Sequence, residues 1–216
     1  MSKKEKKKLA TPYDEIDELN ILAYKKVGEN LNKLRLKLST KKNKNLKFND
    51  FLEETDLIFY LLLDVIEKNY YKSAKEIYGD IKKDDVKKFL EEYYIVTKYA
   101  FYSEWQRKAT RHAEALYSIV ANGKSLSSSE ALKAQKTTIN LLNKQIDEYG
   151  VYIVDRAIKM KAENETGTKL RWKTEEDENV CPICKSRRDK IYTVKEYPAK
   201  PHWHCRCYPE IVRKEK

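Results

Sequence analysis

All four cysteines of this chain lie within its last 36 residues, and no other feature constrains the fold as strongly. They are Cys181, Cys184, Cys205 and Cys207. A C-x2-C pair aims two thiolates at one point, which is typical of zinc sites. Two disulfides would need an oxidising compartment, and the N-terminal sequence MSKKEKKKLA lacks the apolar stretch of an export signal. The sequence therefore predicts one structural Zn²⁺ per chain.

The second half of this site offers more donors than tetrahedral zinc needs. The first pair is Cys181 with Cys184, and the candidates for the second pair are His202, His204, Cys205 and Cys207. Pairing His202 with Cys205 repeats the two-residue gap and gives the preferred ligand set, Cys181, Cys184, His202 and Cys205. Cys205 with Cys207 would give a four-thiolate site, and His204 with Cys207 is a third pairing. With four protein ligands available, we expect a closed, structural site rather than a catalytic one.

The chain before residue 165 is predicted to be helical. Apolar residues recur there at steps of three and four, and glycine and proline number only five each in the whole chain. We expect a first helix after Thr11 and Pro12, a second over about 49–77 and a third over about 85–121. A capping box formed by Ser127 and Glu130 opens a fourth helix, which runs to about residue 161 and can break or kink at Gly150.

The pattern changes after residue 167. Three short strand-like runs follow, at 169–173, 191–194 and 208–212. A segment of roughly 50 residues buries too little apolar surface to fold alone, so a metal ion would supply the missing stability. The predicted fold is mainly α, an elongated helical domain followed by a small zinc-stabilised β-rich module. The predicted limits are a disordered basic tail at 1–10, a helical domain at 11–165 and the zinc module at 168–216.

The positive charge of the chain is concentrated at its two ends. The chain has 45 Lys and Arg against 34 Asp and Glu, a net charge of +11. Residues 1–8 carry +4 and residues 185–216 carry +6, which leaves the middle of the chain almost balanced. Basic ends attract phosphate backbones or acidic protein surfaces, so DNA contact is an open expectation. The basic residues expected to surround the zinc module are Arg187, Arg188, Lys190, Lys195, Lys200 and Arg206.

No stretch of the sequence is apolar for the roughly 18 to 20 residues that span a bilayer, so we expect no membrane contact. Carboxylates that are adjacent in sequence, such as Glu53 with Glu54, diverge on a helix and do not predict paired acid–base chemistry. The sequence also has no glycine-rich phosphate loop. On these grounds we expect a protein that is not an enzyme.

Residues 172–209 resemble the C-terminal module of phage head-morphogenesis proteins, the Mu F-like minor head (minor capsid) family. The shared elements, in order, are Trp172, the acidic run at 175–178, CPIC at 181–184, the strand at 191–194, and Pro201 followed by H-x2-C-R-C at 202–207. The likeness covers roughly 40 of the 216 residues. The chain departs from the family at Trp203 and His204, where the family has Pro-Asn, and at Asp189 and Lys190, where it tends to have glycine.

This resemblance implies a non-catalytic virion component of small copy number that acts in head morphogenesis. It implies association with the portal vertex or procapsid, as an oligomer or bound to the portal, with the portal, coat or scaffold protein as partner. The implied location is the virion and, during assembly, the host cytoplasm. The alternatives are a zinc-module nucleic-acid-binding adaptor and a treble-clef nuclease with His202 or His204 as general base. Against the nuclease, His202 is expected to be consumed as a ligand.

Overall fold

The computed structural model of the protein describes residues 11–40, 46–92, 100–174, 180–202 and 205–213. These residues are mainly helical with a small sheet near the C-terminus, which confirms the predicted fold class. The helices are α1 (Asp14–Thr40), α2 (Phe48–Tyr78), α3 (Lys83–Glu91), α4 (Phe101–Ala121), α5 (Ser129–Glu163) and α6 (Pro182–Arg187). The strands are β1 (Lys169–Lys173), β2 (Ile191–Thr193) and β3 (Tyr208–Val212). The predicted tail at 1–10 and the candidate ligand His204 lie outside the described residues.

Four long helices pack around one apolar core. Helix α1 contacts α2 and α5, α2 also contacts α4 and α5, and α4 packs on α5. The centre of this core is aromatic, because the fully buried ring of Phe101 lies 4.9 Å from the ring of Tyr149 and 5.6 Å from that of Trp105. Within the described ranges, none of the helices combines the length and the apolar character needed to cross a membrane.

The prediction of a single third helix over 85–121 is wrong. Helix α3 ends at Glu91, because Glu92 has an extended backbone with φ −61° and ψ 142°, and α4 begins only at Phe101. The apolar residues of α3 are buried against the core. The ring of Phe89 is 5 % exposed and lies 4.9 Å from the guanidinium of Arg156 on α5. The apolar periodicity of this stretch favours one continuous helix and does not reveal the extended backbone at Glu92.

The other helix ends lie close to the predicted ones. Gly79 ends α2 with a positive φ of 84°, a conformation that glycine adopts without strain. The cap of α5 is Ser128 rather than Ser127, since the Ser128 side chain accepts a hydrogen bond from the Ala131 N–H at 3.3 Å. Helix α5 then continues without a break through Gly150 to Glu163.

Gly150 lets α1 approach α5 closely. A Cβ atom built at this position would lie 2.9 Å from Cγ1 of Ile16 and 3.3 Å from Nδ2 of Asn20. Ile16 is fully buried, so it has little room to move away. The glycine that suggested a break in the sequence is therefore a packing position inside a continuous helix.

We expect Gly150→Ala to lower the free energy of unfolding by about 1 to 3 kcal/mol, because the added methyl group overpacks the α1–α5 contact. Gly28→Ala is the matched control, since Gly28 lies inside α1 and a Cβ atom there meets nothing within 4 Å. That substitution should raise the free energy of unfolding by roughly 0.5 to 1 kcal/mol through helix propensity. Urea unfolding measures whether each substitution raises or lowers the free energy of unfolding. Stabilisation by both substitutions would contradict the close contact between α1 and α5.

The three predicted strand-like runs form one antiparallel sheet in the order β2-β1-β3. The central strand β1 pairs Leu170 with Tyr192 of β2 and with Ile211 of β3. Leu170 and Trp172 alternate along β1 and are both fully buried. Strand β3 contacts α5. The sheet therefore packs against the helices and brings the cysteine segments beside them.

Candidate metal centre

Five cysteine and histidine side chains from three short segments converge in the C-terminal part of the chain. Donor atoms of Cys181, Cys184 and His202 form one group, and those of Cys184, Cys205 and Cys207 form another. Within each group the donor atoms all lie within 4.8 Å of one another, and Cys184 belongs to both. The five residues together form a cluster that can hold a metal ion.

A short helix positions the first cysteine pair. Cys181 is the N-cap of α6, and its sulfur accepts a hydrogen bond from the Cys184 N–H at 3.3 Å. Such N–H groups stabilise a thiolate and orient it toward a metal. This helix is absent from the elements predicted above, although Pro182 directly after Cys181 is a first-turn signal that indicates it.

The second cysteine pair lies in the extended segment that leads into β3. Alternate residues of an extended chain point to the same side, which places both Cys205 and Cys207 toward Cys184. The sulfurs of Cys184 and Cys205 are 3.6 Å apart. Two thiolates on one tetrahedral zinc ion, each at about 2.3 Å from the metal, are separated by about 3.8 Å. All four cysteines are free, so the spacing fits a shared metal ion rather than a disulfide.

The five candidate ligands differ in exposure. Cys184, Cys205 and Cys207 are buried, Cys181 is half-buried and His202 is exposed. Every member of the preferred set lies in the cluster, and so does Cys207, the alternative fourth ligand. The choice between His202 and Cys207 therefore stays a prediction, as does the pairing that involves His204.

The thiols of the cluster influence one another's ionisation. The pKa of Cys205 is lowered by a hydrogen bond with Cys207, and the positive charge of Lys200 lowers it further. Burial raises the pKa of Cys184, while the hydrogen bond with Cys205, together with burial, raises that of Cys207. A metal ion must therefore displace protons from buried thiols, so its affinity should weaken as the pH falls.

Most of the basic residues expected to surround this module make contacts inside the protein. The Arg187 guanidinium lies 5.0 Å from the Trp172 ring and donates to the carbonyl of Ala199. Lys200 is largely buried in an ion pair with Asp155, and the half-buried Arg206 forms an ion pair with Asp17. The exposed lysines of the module, such as Lys190 and Lys195, carry the outward charge.

Comparison with protein-family models, with curated proteins and with solved structures gives no match for this chain. The resemblance to minor head proteins therefore stays a prediction that rests on the residues of the C-terminal module. The metal centre is supported on a different basis, the chemistry and the spacing of its own donors.

The remaining histidine, His112, belongs to the helical core. It is 1 % exposed on α4, and its Nδ1 lies 3.0 Å from the hydroxyl of Thr138 on α5. Burial lowers the pKa of His112 from 6.5 to about 4. His112 is therefore a packing residue between α4 and α5.

We expect His112 to make the protein less stable in mild acid. The unfolded chain binds a proton at His112 near pH 6.5, whereas the folded chain does so only near pH 4. The contribution of neutral His112 to the free energy of unfolding is therefore complete above pH 6.5 and is lost as the pH falls from 6.5 to about 4. Relative to His112→Gln, the wild-type protein should lose about 2 to 3 kcal/mol between pH 7 and 4.5. Urea unfolding at both pH values measures this difference, and parallel pH profiles would contradict it.

Proposed function

We propose that this chain is a non-catalytic phage minor head protein that acts in head morphogenesis and whose C-terminal module holds one structural Zn²⁺. The observation that carries the proposal is the convergence of the C-x2-C and H-x2-C-R-C segments on one cluster beside a small sheet. These segments also carry the resemblance to the minor head family. The fold supports the same conclusion, with a helical region upstream of the module.

Zinc is the metal that suits this donor set best. Zn²⁺ is a borderline-soft ion that binds thiolate and imidazole ligands well. Mg²⁺ and Ca²⁺ instead prefer oxygen ligands. The preferred ligands are Cys181, Cys184, His202 and Cys205, with Cys207 as the alternative fourth ligand. When bound, the ion would cross-link α6 to the segment before β3. The role of these residues is to hold two chain segments together.

The ligand set can be tested by substitution. We expect Cys207→Ser to retain one zinc per chain, because His202 and Cys205 complete the preferred set with the first cysteine pair. His202→Ala should then lose zinc. Zinc content of the two purified variants, measured by mass spectrometry under native conditions, distinguishes the sets. Loss of zinc from Cys207→Ser together with its retention in His202→Ala would instead support the four-thiolate site.

The role in assembly needs a test in particles. The tagged chain should be co-expressed with the portal, coat and scaffold proteins of its own genome, and the particles separated on a sucrose gradient. The proposal predicts that the chain sediments with procapsids or portal complexes and does so in small copy number. Sedimentation at the top of the gradient, in the presence of assembled procapsids, would contradict it.

Two biochemical assays address the alternative functions. Metal-dependent cutting of supercoiled plasmid would support the nuclease and overturn a non-catalytic role. Salt-sensitive binding to duplex DNA without any association with particles would support the nucleic-acid adaptor. If the chain binds DNA, substitution of the exposed basic residues of the module, including Lys190 and Lys195, would test whether they contact it.

A further inference from the structure

Lys200 lies at the point where the metal-binding segment meets the helices. Its ammonium group donates to the carbonyl oxygens of Cys205 at 2.9 Å and Cys207 at 2.7 Å. The same group donates to the Tyr13 hydroxyl at 2.7 Å and forms an ion pair with Asp155 at 3.1 Å. The side chain is only 11 % exposed. One largely buried cation therefore contacts the backbone carbonyls of two cysteines of the cluster, the residue that precedes α1 and a residue of α5.

Tyr13 completes this contact from the side of α1. The residue directly precedes α1, is fully buried, and its hydroxyl donates to Oδ1 of Asp155 on α5 at 2.7 Å. The hydroxyl oxygen also lies 3.0 Å from the carbonyl oxygen of Cys207. Its ring packs edge-on against Tyr208 of β3, with the ring centroids 6.0 Å apart. The start of α1 is therefore in direct contact with the segment that carries Cys207.

Arg206, which lies between Cys205 and Cys207 in the sequence, forms a second link between this segment and the start of α1. The guanidinium of Arg206 lies 4.7 Å from the Tyr13 ring centroid. Arg206 also donates to Oδ1 of Asp17 on α1 at 3.2 Å. The side chains of residues 205 and 207 face the metal cluster, while Arg206 faces the helix. Movement of this short segment would change the cluster and the α1 contact together.

We propose that Lys200 is a positioning residue of the metal centre, which couples metal binding to the docking of the C-terminal module on α1 and α5. This inference rests on the proposed metal-binding function. Lys200 fixes the carbonyl groups of Cys205 and Cys207, and so restricts where their sulfurs point. The contacts of Lys200 with Tyr13 and Asp155 fix the position of this segment relative to the helices.

The charge of Lys200 supports this role. Zn²⁺ with three or four thiolates carries one or two net negative charges, and a nearby cation stabilises such a complex. Asp155 holds the ammonium group in place, because a buried cation needs a partner to offset the cost of leaving water. The two charges and the Tyr13 hydroxyl form a hydrogen-bonded unit that is nearly closed to solvent.

The first test is the zinc affinity of Lys200→Met, measured with Zn²⁺ alone in competition with a chromophoric chelator. We expect affinity to fall by roughly 10- to 100-fold, the usual effect of losing an outer partner of a metal ligand. Lys195→Met is the matched control, since it removes the same charge from an exposed position of the same module. Its affinity should stay within about two-fold of wild type. Equal affinities for the two variants would overturn the proposal.

The second test is hydrogen exchange of residues 16–20, near the start of α1, with and without Zn²⁺. We expect zinc to slow exchange there in the wild-type protein and in Lys195→Met, but not in Lys200→Met or Tyr13→Phe. Because Lys200→Met alone leaves the Asp155 carboxylate without its cation, the double variant with Asp155→Asn serves as a folded alternative. Zinc-dependent protection of α1 in all variants would overturn the coupling.

The two tests separate this inference from the function on which it rests. If the wild-type chain binds no zinc, the metal centre fails and the coupling fails with it. If the wild-type chain binds zinc and Lys200→Met binds it equally well, the metal centre stands and only the role of Lys200 is wrong. A weakened affinity with loss of α1 protection supports both.

Discussion

Cys184→Ser should abolish zinc binding and unfold the C-terminal module, the largest effect that we expect from any single substitution. Cys184 is the one residue shared by both groups of metal donors, and it is 1 % exposed. A serine hydroxyl is a far weaker ligand for zinc than a thiolate. Structural zinc contributes about 10 to 16 kcal/mol in small zinc-folded domains, more than a module of this size gains from apolar burial.

Limited proteolysis and zinc content measure this result together. The variant should be cleaved within residues 180–213, with most of its helical circular dichroism retained. Ser186→Ala is the matched control, because Ser186 is exposed on the same short helix and outside both donor groups. This control should keep one zinc per chain and resist cleavage. A zinc-free Cys184→Ser variant whose module still resists protease would show that the metal does not hold the module together.

Trp172→Ala should lower the free energy of unfolding by about 3 to 5 kcal/mol, the second largest effect. Trp172 is fully buried in the central strand of the sheet. Its ring stacks on Tyr197 with the centroids 5.3 Å apart, and Arg187 lies on it at 5.0 Å. Truncation to alanine therefore leaves a cavity and removes an aromatic pair and a cation–π contact.

Two further variants refine this prediction. In the part of the chain that the structure describes, Nε1 of Trp172 has no hydrogen-bond partner, so Trp172→Phe should cost less than Trp172→Ala. Ile191→Ala is the control, since Ile191 is 48 % exposed on the neighbouring strand and should cost less than about 1 kcal/mol. Urea unfolding of zinc-loaded protein gives all three values. Equal losses for Trp172→Ala and Ile191→Ala would contradict the placement of the indole in the core.

The sequence predicted the elements whose signals are local. Strand β1 occupies the predicted residues, and β2 and β3 lie within the predicted runs, because short strand-like runs bounded by turn residues specify strands without tertiary information. The end of α2 at Gly79 was predictable for the same reason, since a residue type with unusual backbone freedom marks it. The spacing of the cysteines and of His202 indicated that these side chains could meet, and the structure brings them together in one cluster that could hold a metal ion.

What the sequence could not predict depends on contacts between distant residues. One example is the end of α3 at Glu91, where Glu92 has an extended backbone although the apolar periodicity of the stretch favours one continuous helix. Lys200 and Arg206 were expected among the basic residues that surround the zinc module. Their partners Tyr13 and Asp17 lie 187 and 189 residues away in the chain, so only the folded structure brings them together.

Native mass spectrometry with and without a chelator shows whether one metal ion holds the C-terminal module together. We expect a mass with one zinc per chain, which the chelator removes, and increased proteolysis of residues 180–213 after removal. A metal-free chain with a mass roughly 4 Da lower than that of the reduced protein would indicate two disulfides. That result would contradict the metal centre and remove the physical basis of the resemblance to minor head proteins.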